Sequence, residues 1–175
     1  MKFRPIRTLL LCTALVMLLA ACGQSSTEPE AVVPHEITRS TASVIDGMLL
    51  ADYPGPKAQV HYARQPEPDF YCNTADMFYM HFVPEQMRKV RAIFVQDMGK
   101  ADWDEPLGHW IDARTAWYVA GSNRRGSMGP TLASFADEKD AHRFAEEYGG
   151  RVLRFDEVTI EVVAPPDDGL PEIGG

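Results

Sequence analysis

One stretch of the chain carries an unmistakable helical stripe: Ala141, Phe144, Ala145 and Tyr148 recur at i, i+3, i+4 and i+7. This predicts an amphipathic helix over 137–148. Asp137 is placed to cap its first turn, and Gly149-Gly150 supplies a left-handed stop. A second helix is predicted over 70–82, closed by Pro84. The remaining apolar runs are short and bounded by turn residues, which is strand spacing. They predict strands over 44–53 and 58–63 around the turn Pro54-Gly55-Pro56, then over 90–95 with Ile93-Phe94-Val95 at its heart. Further strands are expected over 113–120, ending at Gly121, over 131–135 and over 152–155. The order of elements runs twice through the same cycle, although the sequence itself does not repeat. The expected fold is α+β: two β-β-α-β-like modules with antiparallel sheet, forming one domain over 41–163.

The ends of the chain read differently. Lys2, Arg4 and Arg7 precede an apolar run over 8–19, shorter than the ~20 residues a spanning helix needs. The run ends in Leu19-Ala20-Ala21-Cys22, small residues before a cysteine. This predicts a lipoprotein signal peptide over 1–21, with the lipid on Cys22. An ordinary secretory signal with a cysteine nearby is the competing reading. Gly23, where an Asp would favour inner-membrane retention, favours the outer membrane, with the domain facing the periplasm. Residues 22–40, rich in Ser, Thr, Glu and Pro, are expected to be the lipidated cysteine and a flexible tether. Residues 164–175, with Pro165-Pro166-Asp167-Asp168-Gly169, are expected to form a disordered tail.

Charge and cysteine usage narrow the chemistry. The leader takes three of the 17 basic residues and none of the 25 acids, which leaves a mature charge of −11. Such a surface repels nucleic acid and attracts cations or basic partners. With Cys12 lost in the leader and Cys22 lipidated, Cys72 is the one free thiol of the mature chain, so no internal disulfide is expected. A lone thiol in an oxidising compartment is buried and inert, a metal ligand, or reactive.

There is no Walker loop, no G-x-G-x-x-G, no G-x-S-x-G, no H-E-x-x-H and no C-x-x-C. His35, His61, His81, His109 and His142 are scattered. Met77 and His81 stand at i, i+4 on the first helix, a spacing that packing also explains. More distinctive are Gly47-Met48, Met98-Gly99 and Met128-Gly129, each at a predicted strand end or loop. Glycine beside a thioether removes bulk and permits a tight turn. A thioether is neutral and soft, and prefers Cu(I) to Zn(II) or Ca(II). Filling gaps in a core is the competing use of methionine. A thiol enzyme built on Cys72, with Asp76 as base, is a third reading.

Gly47-Met48-Leu49-Leu50, then Tyr53-Pro54-Gly55-Pro56-Lys57-Ala58-Gln59-Val60, resembles the opening motif of NosL-type lipoproteins, copper-binding accessory proteins of nitrous oxide reductase. So do Gln96-Asp97-Met98-Gly99-Lys100, Ala116-Trp117-Tyr118-Val119, Met128-Gly129 and Gly149-Gly150-Arg151-Val152. The likeness runs through residues 44–158 in one order. It implies a non-enzymatic Cu(I) metallochaperone, delivering copper to nitrous oxide reductase through the maturation ABC-transporter complex. Copper would be held once per monomer or shared between two chains of a homodimer. The ligand set it implies is Met98, Met48 and Met128, with Cys72 and His109 as further candidates. One departure stands out: the family's first motif usually reads Cys-Gly-Met, and this chain has Asp46 there. Cys72 replaces that thiol only if the fold brings the two positions together. The alternative is an envelope lipoprotein with a structural or small-ligand role.

Overall fold

The computed structural model describes residues 31–83 and 87–164. The leader, Cys22, residues 22–30 of the expected tether and the tail after Ala164 lie outside the described residues, as does Pro84. The first module comprises β1 (Ala58–Tyr62), β2 (Asp69–Tyr71), α1 (Thr74–Phe82) and β3 (Val90–Gln96), with β4 (Trp110–Asp112) added at the edge. All pairings are antiparallel, in the order β2-β1-β3-β4. The second module comprises β5 (Trp117–Ala120), β6 (Ala133–Phe135), α2 (Glu138–Tyr148) and β7 (Arg151–Arg154), with the sheet order β6-β5-β7. In both, the first strand lies between the second and the third, and the helix connects those two. The expected α+β fold of two β-β-α-β modules is therefore the observed one. A short α3 (Ile160–Val163) follows and packs on α1.

Strand β5 shows how the layers stack. Tyr118 and Ala120 face the larger core, shared with Val60, Ile93 and Val95 of the first sheet and Met77 and Phe78 of α1. Trp117 and Val119 face a smaller core with Trp103, Phe135, Ala141 and Phe144. Successive strand residues point to opposite faces, so the second sheet is covered on both sides. The α2 stripe expected from spacing is the face that fills the smaller core. Asp137 caps this helix by accepting from Lys139 N, and Gly149 (φ 75°) stops it. The two sheets are joined where β3 ends. Ser134 Oγ donates to Gln96 O (2.6 Å), Met98 N to Ser134 O (2.8 Å) and Ala136 N to the buried Asp97 carboxylate (3.0 Å).

Several expected boundaries are corrected. Residues 44–53 are not a strand: Asp46 Oδ1 accepts from Met48 N (3.0 Å), Gly47 turns left-handed (φ 76°), and Leu50–Asp52 is a 3-10 turn. A short Asx turn captures the backbone that a strand would leave to a neighbour. The partner of β1 is instead Asp69–Tyr71, and the helix expected from residue 70 begins only at Thr74. Asn73 sets that start by accepting from Ala75 N (2.9 Å). The strand expected over 113–120 begins at Trp117, because Asp112 holds a turn through Arg114 N and Thr115 N. Strand β4 was not legible as a strand; it follows Gly108 and His109, both at positive φ. The tether expected over 22–40 is bonded to the domain from His35 onward. Gln59 Oε1 accepts from His35 N (2.8 Å), Gln59 Nε2 donates to His35 O (2.9 Å), and His35 Nδ1 meets Glu67 (3.2 Å).

Candidate metal centre

Three segments meet at the junction of β2 and α1. The first is the Asx loop of residues 43–48, where Val44 N donates to Phe70 O (2.9 Å) and lays the loop along β2. The second is Cys72 itself, between the end of β2 and the cap of α1 and only 2% exposed. The third is the loop of residues 126–131. Ser127 Oγ donates to Cys72 O (3.2 Å), and Asn73 Nδ2 donates to Pro130 O (3.1 Å). Thr131 Oγ1 donates to Asn73 Oδ1 (2.6 Å), and Thr74 Oγ1 donates to Leu132 O. Asn73 therefore caps the helix and clamps the loop with one side chain. The loop comes this close because a glycine faces it: a Cβ on Gly55 would lie 2.8 Å from Gly126 Cα.

The electrostatics show what surrounds the thiol. Burial pushes the Cys72 thiol up; the Lys57 ammonium and Ser127 draw it back, while Asp46 and Asp76 push it further. Lys57 is fully buried, donates to Pro54 O (2.9 Å), and is lowered to about 8 by desolvation against the pull of Cys72. Asp76 is raised to about 6 by burial, then by Asp46. Asp46 thus stands within electrostatic reach of Cys72. Cys72 is not an activated nucleophile, because its pKa moves the wrong way for a thiolate at neutral pH.

The expected ligands fall into two groups. Cys72 lies at the junction, with half-buried Met48 on the first loop and Met128, 66% exposed, on the third. Met98 lies elsewhere, half-buried against the smaller core. Exposed His109 is one step from it, its carbonyl accepting from Asp97 N (2.8 Å). Trp103 touches both neighbourhoods. It packs in the smaller core, accepts from Gly55 N (2.7 Å) and donates Nε1 to Arg125 O (3.1 Å). Met77 belongs to the larger core and His81 packs on Phe155, so that i, i+4 pair serves packing. Among the described residues no three His, Cys, Asp or Glu side chains are grouped to hold a metal; the candidate donors carried by the three segments are one thiol and two thioethers. Sequence reasoning missed Lys57 and the Asn73 clamp. Asn73-Thr74-Ala75-Asp76 ahead of an apolar run was the available signal for a helix start.

The profile of the NosL family matches residues 34–163. The chain is similar to the copper-binding lipoprotein NosL of Stutzerimonas stutzeri, 39% identical over 150 residues, covering 85% of this chain and 78% of that protein. It is likewise similar to the copper-binding lipoprotein NosL of Achromobacter cycloclastes, 37% identical over 160 residues, covering 89% and 82%. Among solved structures, the crystal structure of the copper chaperone NosL from Shewanella denitrificans superposes with a TM-score of 0.69 at 36% identity, over 75% of this chain and 98% of that one. Motif order, fold and identity over most of the chain agree: this protein belongs to the NosL family.

Proposed function

We propose that this chain is a lipid-anchored Cu(I) chaperone that faces the periplasm and supplies copper for the assembly of nitrous oxide reductase. One observation carries the reading. An exposed thioether, Met128, tips a loop clamped directly over the buried thiol Cys72. A methionine that merely packs is buried, whereas this one stands in solvent on a loop hydrogen-bonded to Cys72 and Asn73. Soft, uncharged donors bind Cu(I) in preference to harder ions and release it by exchanging one sulfur at a time. The names of the relatives, copper-binding lipoprotein and copper chaperone, support the same cargo. Asp46, which lies within electrostatic reach of Cys72, supports Cys72 as the substitute for the family's first-motif thiol. Met48 and Met128 complete the proposed ligand set at the junction, and Met98, with His109 beside it, is a second, separate group of proposed donors. Handover to the maturation ABC-transporter complex, anchorage through Cys22 and an outer-membrane location belong to the same proposal.

The decisive experiment is an anaerobic competition of the mature chain against a Cu(I) chelator. Retention of about one Cu(I) per monomer or per dimer, strongly preferred over Zn(II), is expected. Retention no better than that of a methionine-poor control refutes the reading. Met98→Leu refines it. Volume and apolarity are kept, so stability changes by less than ~1.5 kcal/mol, while copper affinity falls. A large loss of stability with affinity intact would assign Met98 to packing alone.

A further inference from the structure

A cavity of about 460 Å³ opens beside the clamped loop, and the ligands named so far do not account for its walls. Met128 stands on one side of it. Helix α1 lines it too, contributing Asp76 and Met80. Residues four apart on a helix lie on one face, so the carboxylate and the thioether present themselves to the cavity together. Asn73, the clamp that holds the Met128 loop, lines the same space, and Cys72 precedes it in the chain.

We propose that Met80 is a copper ligand, forming with Met128 a soft two-thioether site on this cavity. The inference rests on the copper-chaperone reading and adds to it a residue outside the glycine-flanked methionines. Met80 is half-buried, packing on the larger core as well as lining the cavity; leucine would pack equally well there, and what sulfur adds is a lone pair for a soft cation. The Asp76 carboxylate one turn away offsets the charge of the ion without having to bind it, and the largely apolar wall strengthens that attraction. No bond is formed or broken covalently. The ion exchanges one thioether for another.

The mature chain, labelled at the methionine methyl carbons, is titrated anaerobically with Cu(I), a diamagnetic ion that leaves the signals visible. The Met80 and Met128 methyls are expected to shift in step with copper. Met80→Leu is expected to weaken copper retention at least about tenfold, the least that losing even an outer-shell partner costs. If the parent and Met80→Leu retain copper equally and the Met80 methyl stays unmoved, this proposal is wrong and the chaperone reading stands. If the parent retains no copper, the chaperone reading falls and takes this one with it. Should Met80→Leu fail to fold, the Met80 methyl of the parent, assigned by through-bond correlation, decides alone.

Discussion

Cys72 is a protonated thiol at neutral pH, because burial and two nearby carboxylates outweigh the Lys57 ammonium. Only the thiolate binds copper, so the ion must displace a proton. Affinity should therefore climb as pH rises from about 6 to 8 and keep climbing towards the raised pKa, beyond the ordinary thiol value of ~8.5. A chelator competition at several pH values, with Cys72→Ser alongside, measures the slope. A parent whose affinity is flat with pH and equal to that of the variant would make Cys72 a bystander. Asp76 has its own signature. Its pKa is raised to about 6, so the folded state holds the proton more tightly than the unfolded chain does. Stability is then greatest below about 4 and declines as pH rises through 4 to 6. Two pKa units correspond to ~2.7 kcal/mol, which partial exposure reduces to on the order of 1 kcal/mol. Asp76→Asn should stabilise by about that much at pH 7 and by almost nothing at pH 4, as read by urea unfolding. An equal gain at both pH values would trace it to something other than the charge.

The elements that matter for the site are a capped helix and a loop tied to its cap. Asn73 serves both, so Asn73→Ala removes an N-cap, worth about 1 kcal/mol, and the bonds to Pro130 and Thr131. The expected cost is roughly 2–3 kcal/mol, with faster hydrogen exchange over residues 126–131 and weaker copper binding. Stability lost without faster exchange there would mean that the loop is held by other contacts. Helix α2 was legible to within a residue, because its stripe, its cap and its glycine stop all agree. The loop of residues 43–53 was not. Its apolar residues suggest a strand, and only the Asp46 turn, formed against β2, shows why the chain coils. Strand β2, three residues long, carries no readable period and exists because β1 offers it an edge.

For the molecule as a whole, the domain begins earlier than polarity suggested: Gln59, buried in β1, grips the backbone of His35. Among the described residues no helix is long and apolar enough to cross a membrane; the attachment proposed for this chain is the lipid on Cys22. Cys22→Ser should move the chain from the membrane to the soluble periplasmic fraction while copper retention in vitro stays unchanged; a variant still found with membranes would place the anchor elsewhere. Local patterning was enough to establish the order of the second module, the helix near residue 140 and the thioether chemistry of the candidate donors. These depend on side-chain period, capping and residue chemistry, all properties of neighbours in the chain. Only the tertiary structure decided that the first strand of each module is central, that Ser127 bonds Cys72 with Asp46 in electrostatic reach, and that Met98 packs in the smaller core. Those outcomes depend on strand pairing and on one close glycine contact between residues 71 positions apart, relations that no local pattern encodes.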